Sequence, residues 1–209
     1  MVDGGEPEHA TSAQSGSRAI GYAVAGAAIL LAIVTIAAAL ASIDSGGGGD
    51  GAVPSAARAA GCKLESFRAR SNLHIGGPDE PVRYSSDPPT SGRHHPVPAD
   101  DGAYAISPDI RRIVHTLEHG RVAIWFDSDL PREARASLKA FYLDDPHHVL
   151  LVPDTTGMPY AVAATAWNRD PGRYGTGCLL GCRDYGDDLF TALAAFRDRH
   201  RDRGPELVP

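Results

Sequence analysis

The chain has 209 residues, of which 43% are hydrophobic and 22% charged, and its formal net charge is −6. No basic cluster stands out, so the sequence excludes nucleic acid as an expected partner. The length allows one compact domain together with non-globular segments.

The N-terminal part of the chain predicts a membrane anchor and its flanks. Residues 1–18 are rich in small and polar residues, which indicates a disordered cytoplasmic tail. Residues 19–43 form a stretch of 25 residues without a charge. A helix of that length, roughly 37 Å, can cross a hydrocarbon core of about 30 Å. The Gly- and Ala-rich residues 44–61 predict a flexible linker.

The basic residues around this span predict its orientation. Arg18 precedes the span directly, and Arg58 is the first basic residue beyond it. This bias favours a single-pass protein of the cell membrane with an extracytoplasmic C-terminal domain. Small residues at 39–41 leave a cleaved signal peptide open as the alternative to a retained anchor.

Residues 62–209 predict one compact exported α+β domain. Apolar residues recur at i, i+3, i+4 and i+7 from Ile110 to Leu117, after a predicted N-cap at Ser107, and indicate a helix that ends at Gly120. The other predicted elements are strands over 121–126, 149–152 and 161–167, helices over 131–143 and from 187 or 188 onwards, and a Gly- and Arg-rich loop over 168–185.

Three cysteines lie in the predicted exported domain, where an oxidising environment favours disulfides. The simplest pairing is a local bridge between Cys178 and Cys182. A long-range bridge from Cys62 stays open and would restrict the unfolded chain more. A further alternative is that Cys178 and Cys182 form a thiolate pair for copper or zinc.

Residues 115–119, with the sequence His-Thr-Leu-Glu-His, carry the clearest chemical signal. On a helix, His115 and His119 lie one turn apart with Glu118 on the adjoining surface, and two imidazoles at that spacing can bind one transition-metal ion. Both imidazoles point away from the apolar helix face. A metal site therefore requires another segment across this face, and a solvated polar face is the alternative.

A Pro-rich loop over 87–96 is the candidate for that segment, because it can hold His94 at a fixed angle. We therefore predict a copper or zinc site at His94, His115 and His119. Glu118 and His74 are further candidate ligands. His147 and His148 are expected at the surface, and His200 is expected at a charged helix end.

Two alternatives to a metal-binding module remain open. The His-x-x-Glu-His pattern also occurs in zinc hydrolases, where the Glu activates water and a downstream Glu supplies the third protein ligand. In this chain Glu118 would be that general base, and Glu133 and Glu206 are the downstream candidates. The other alternative is a metal-free envelope interaction domain whose histidines hold the loop to the helix.

Several motifs together resemble a bacterial, commonly membrane-anchored family catalogued as domain of unknown function 3105. They lie at residues 88–94, 102–104 and 114–120, with further similarity at 61–62, 164–167 and 204–206. The sequence departs from the family pattern at Arg93, where a Pro is usual, and at Asn168, where a Gly is usual. The resemblance implies the same domain boundaries and the same histidines, and it implies no particular reaction.

Overall fold

The computed structural model describes residues 51–206. They belong to one compact unit. Within the described residues, no helix combines the length and the apolar character needed to span a membrane. The predicted tail at 1–18 and the predicted span at 19–43 lie outside the described residues.

The described part of the chain is a mixed α+β domain, as predicted. Its helices are α1 (Ala52–Ala59), α2 (Ile110–Glu118), α3 (Arg132–Asp144) and α4 (Leu189–His200). Its strands are β1 (Lys63–Arg68), β2 (Gly102–Ala103), β3 (Val122–Phe126), β4 (Val149–Pro153), β5 (Val162–Asn168) and β6 (Thr176–Cys182).

The six strands form one sheet in the order β1-β6-β5-β3-β4-β2. β1 pairs antiparallel with β6, as do β6 with β5 and β5 with β3. In contrast, β4 pairs parallel with both β3 and β2. Helices cover both faces, which explains why β3 and β4 are buried along their whole length. Val122, Ile124 and Phe126 face one core with α1, α3 and α4, while Trp125 faces the other core with α2, as the alternation predicted.

The predicted flexible linker is wrong for its C-terminal part. Residues 52–59 form helix α1, which buries Val53 and Ala57 in the core that also contains Phe196 of α4. Alanine has the highest helix propensity, and the apolar surface that stabilises this helix comes from α4. That partner surface is distant in sequence, so composition alone indicated a linker.

The predicted loop over 168–185 is also wrong in part, because residues 176–182 form the buried strand β6. The glycines of this segment favoured a loop in the sequence, but in the structure they allow neighbouring side chains to pack closely against the strand. A Cβ at Gly177 would lie 2.2 Å from Oγ1 of Thr90, and one at Gly181 would lie 2.4 Å from the ring of Tyr160. Glycine within a strand commonly marks such an approach.

The disulfide joins Cys62 to Cys182, and Cys178 is free. The predicted local bridge is wrong because Cys178 and Cys182 lie on one strand. Four strand residues span about 13 Å, well beyond the Cα separation of a disulfide. The alternative of a thiolate pair is also wrong, because Cys182 is in the disulfide and burial raises the pKa of the Cys178 thiol to about 11.

Candidate metal centre

Helix α2 supplies three of the predicted residues. It begins two residues later than predicted, because the side chain of Asp109, and not that of Ser107, accepts the backbone N–H of Arg111 at 2.9 Å. Its apolar side is buried in the core against Trp125, as the periodicity predicted. This packing directs His115 and Glu118 to the opposite side, and His119 is the C-cap.

The segment that the sequence required across this side is present. The backbone N–H of His95 donates to the carbonyl of Arg111 at 3.2 Å, which holds the Pro-rich loop against α2. His74 and His94 then form a short β-bridge, in which the N–H of Ile75 donates to the carbonyl of His94 at 2.7 Å.

The loop removes the polar side of α2 from solvent. His115 is 4% exposed, Glu118 is 3% exposed, and His94 is fully buried. The alternative of a solvated polar face is therefore wrong for these residues. Arg93 ties the loop to its surroundings, because its guanidinium donates to the carbonyl of His74 at 3.1 Å and pairs with Glu80.

The four candidate imidazoles lie next to one another. Ring centroids are 4.7 Å apart for His94 and His115, 5.0 Å for His74 and His94, and 5.1 Å for His74 and His115. His119 lies on the other side of His115, with 4.5 Å between their ring centroids. The fold thus brings the predicted histidines together. His115 lies between His74 and His94 on one side and His119 on the other.

The donor groups on the two sides of His115 define two trios. In the inner trio, His74, His94 and His115, the ligand atoms all lie within 4.8 Å of one another. The outer trio consists of His115, His119 and Glu206, and it meets the same limit. The Nε2 atom of His119 lies 3.4 Å from Oε2 of Glu206. Glu206 is one of the two downstream acids that the hydrolase alternative named.

Backbone hydrogen bonds define the tautomers of the two central imidazoles. The Nδ1–H of His94 donates to the carbonyl of Gly92 at 2.8 Å, and that of His115 donates to the carbonyl of His95 at 2.7 Å. A carbonyl can only accept, so each Nδ1 carries a proton and each neutral ring keeps its lone pair on Nε2.

The Nε2 atom of His94 is buried and makes no hydrogen bond within the part of the chain that the structure describes. It lies 3.1 Å from Oε2 of Glu118, whose side chain is 4% exposed. The two atoms are within hydrogen-bonding distance, so a proton or a metal cation between them would satisfy both. They lie beside the ring of Trp167, whose centroid is 6.0 Å from that of His94.

Burial also favours the neutral form of two histidines. It lowers the pKa of His115 to about 4, even though the hydrogen bond to His95 acts in the opposite direction. Burial lowers the pKa of His119 as well, against the nearby carboxylate of Glu206. Neutral imidazoles are the form that binds metal ions.

The C-terminal segment closes the centre from the other side. The N–H of Glu206 donates to the carbonyl of Glu118 at 3.1 Å, and the N–H of Asp202 donates to the carbonyl of Gly120 at 2.8 Å. Between them, Gly204 approaches so closely that a Cβ would lie 2.2 Å from the carbonyl oxygen of Glu118. Glu206 is distant from α2 in the sequence, and it reaches this helix through the packing of the C-terminal segment.

A solvent-accessible pocket of about 390 Å³ opens onto both trios. It is lined by Asn72, His74, Glu118, Pro205 and Glu206. Asn72 and Pro205 carried no chemical signal in the sequence, because their position depends on the packing of the two segments against α2.

The remaining described histidines lie elsewhere. His147, His148 and Asp202 form what we term the exposed cluster, in which Nδ1 of His148 lies 2.5 Å from Oδ1 of Asp202. His200 lies at the charged end of α4, as expected, where its ring packs on Phe196 and its Nδ1 forms a hydrogen bond with Asn168. Burial lowers its pKa to about 4.

The fold and the centre define a mixed α+β domain with a buried histidine cluster. Residues 77–204 match the family model described as "Protein of unknown function (DUF3105)", and the chain belongs to this family. The match includes His94, His115 and His119, whereas His74 and Glu206 lie outside the matched residues. Neither the curated proteins nor the solved structures contain a match to this chain.

Proposed function

We propose that this domain binds a transition-metal ion, copper or zinc, through the inner trio. The observation that carries the proposal is the set of three imidazoles whose ligand atoms all lie within 4.8 Å of one another, with the buried Nε2 of His94 also 3.1 Å from Oε2 of Glu118. A metal cation bound by Nε2 of His94 and by the carboxylate of Glu118 would satisfy both buried groups at once.

The surroundings of the imidazoles support the same proposal. Metal-binding histidines commonly donate their other ring N–H to a carbonyl or carboxylate, which fixes the tautomer and the ring orientation. His94 and His115 both have this arrangement, with Nε2 as the donor atom. Imidazole ligands suit copper and zinc. His119, which the sequence placed in the same set, lies beyond His115 and belongs to the outer trio.

The location is part of the proposal. We propose that residues 19–43 anchor the chain in the cell membrane and that the domain lies outside the cytoplasm. The Cys62–Cys182 disulfide supports an oxidising compartment. A reporter that requires export should be active when fused after Pro209, and activity of a reporter that works only in the cytoplasm would contradict the orientation.

Metal analysis of the purified full chain tests the metal site. After loading with zinc or copper and removal of the excess, the protein should retain the ion. His94→Ala should lose the ion held by the inner trio, whereas the matched control His148→Ala, in the exposed cluster, should not change the metal content. Absence of retained metal in the folded wild type would favour the metal-free interaction domain.

A metal-dependent hydrolase is the second candidate, favoured by the pocket against Glu118 and by the downstream carboxylate of Glu206. In this alternative an ion bound by the outer trio leaves Glu118 as the general base. The zinc-loaded chain should then cleave a mixed peptide substrate, and Glu118→Gln should retain zinc but lose cleavage. Absence of cleavage by fully loaded protein would remove this candidate.

A further inference from the structure

More metal-binding groups lie around the pocket than one ion needs. His115 offers a single lone pair, because its Nδ1–H is held by the carbonyl of His95 at 2.7 Å. It can therefore serve the inner or the outer trio, but not both. Glu118 provides a sixth donor group, since its Oε2 lies 3.1 Å from Nε2 of His94. Six donor groups suffice for three protein ligands at each of two ions.

The outer group is held in place by the backbone. The N–H of His119 donates to the carbonyl of His115 at 3.2 Å, and the N–H of Glu206 donates to the carbonyl of Glu118 at 3.1 Å. Gly204 lets the C-terminal segment pack directly against the end of α2. His119 and Glu206 thus face each other through main-chain contacts that do not depend on their side chains.

The charges near the outer group also suit a cation. Arg121 is the neighbouring positive side chain, and it is engaged by the carbonyl of His119 at 3.0 Å and by Asp101 at 3.6 Å. Glu206 and Glu118 supply two carboxylates on the pocket side. A site of imidazole and carboxylate is an ordinary ligand set for zinc and related divalent ions.

We infer that the domain holds a second divalent transition-metal ion at His119 and Glu206, next to the ion of the inner trio. This inference rests on the proposed function and extends it from one ion to a two-ion centre. His115 binds one of the ions, and Glu118 completes the ligands of the other. Because the pocket is lined by groups of both positions, a ligand that coordinates through oxygen can reach both ions, as in two-metal sites generally.

Zinc stoichiometry of the full chain tests the inference. The wild type should bind two zinc ions per chain by equilibrium dialysis and elemental analysis. His119→Ala and Glu206→Gln should each bind one, with unchanged circular dichroism as the check on folding. His148→Ala and Asp202→Asn, which remove donors of the exposed cluster, should still bind two.

The outcomes separate the inference from the proposed function. One ion in the wild type would overturn the second position and leave the inner trio standing. Two ions that fall to one in His148→Ala or Asp202→Asn would overturn it too, because the second ion would then lie in the exposed cluster. Two ions that persist in His119→Ala and Glu206→Gln would have the same consequence. Zero ions in the folded wild type would remove the proposed function itself.

Loading with cobalt(II) gives a second measurement on the unmutated protein. Two neighbouring paramagnetic ions couple, so the second equivalent should reduce the electron paramagnetic resonance signal per ion. A signal that grows in proportion to two equivalents would mean distant, independent ions and would overturn the inference.

Discussion

The inner trio and the exposed cluster both place three metal-binding groups within 4.8 Å of one another, yet their donor atoms differ in what they already contact. In the exposed cluster, Nδ1 of His148 and the carboxylate of Asp202 satisfy each other at 2.5 Å, with solvent nearby. In the inner trio, the Nδ1–H groups of His94 and His115 donate to carbonyls, so the lone pair of each neutral ring lies on Nε2, and that atom of His94 is buried.

This difference shows that proximity of donors alone does not indicate a metal site. A surface His–Asp pair typically contributes about 0–1 kcal/mol and needs no ion. A buried lone pair without a partner is costly, so its retention calls for an explanation.

The largest effect is expected for His115→Ala, which removes the imidazole shared by both trios. The wild type should gain about 2.7 kcal/mol of stability at a zinc concentration one hundredfold above the dissociation constant. The variant should lose the part of this gain that depends on His115, because the five remaining donor groups supply three protein ligands to one ion only. Thermal denaturation with and without zinc measures the difference. Equal zinc-induced shifts in both proteins would refute the distinction between the two regions.

Gly204→Ala tests whether the C-terminal segment must lie against α2. The new Cβ would fall 2.2 Å from the carbonyl oxygen of Glu118, so the segment has to move. Overpacking of this kind costs about 1–3 kcal/mol, measured by urea unfolding without metal. Gly186→Ala is the control, because nothing lies within 4 Å of a Cβ at that position. Similar losses in the two variants would argue against the close contact.

His200 lies outside both trios, and its Nδ1 already forms a hydrogen bond with Asn168. It therefore shows how burial affects a histidine that has no role as a metal ligand. Its folded-state pKa is lowered to about 4, below the unfolded value of 6.5, so the unfolded state binds more protons between these values. Stability should therefore fall as the pH drops from about 6.5 towards about 4. His200→Gln should reduce this fall by about 1 kcal/mol, after allowance for partial exposure.

Urea unfolding at several pH values measures the effect on metal-free protein. The difference between wild type and His200→Gln at pH 7.5 is the baseline. An unchanged pH slope in the variant would show that the ring of His200 is not protected from protonation in the folded state.

The smallest effect is expected for Asp202→Asn in the exposed cluster. The change removes one charge of a surface pair, so the free energy of unfolding should change by less than about 1 kcal/mol. The zinc-induced thermal shift should equal that of the wild type. A reduced shift would mean that the exposed cluster, and not the inner trio, binds the ion.

The sequence alone determined the local elements whose pattern repeats within a few residues. The apolar period from Ile110 to Leu117 predicted α2, and the alternation from Val122 to Phe126 predicted β3 with its two faces. The same short range was enough to select His115, Glu118 and His119. The nearby loop with His94 was also selected, because its prolines indicated a fixed segment.

Only the tertiary structure decided which distant segments meet. Cys62 pairs with Cys182 because β1 and β6 are neighbours, with Lys63 opposite Gly181. The helix at residues 52–59 depends on a core surface supplied by α4. Glu206 reaches His119 because main-chain bonds and Gly204 hold the C-terminal segment on α2. Such contacts arise from packing between segments far apart in the chain, and no local pattern of residues specifies them.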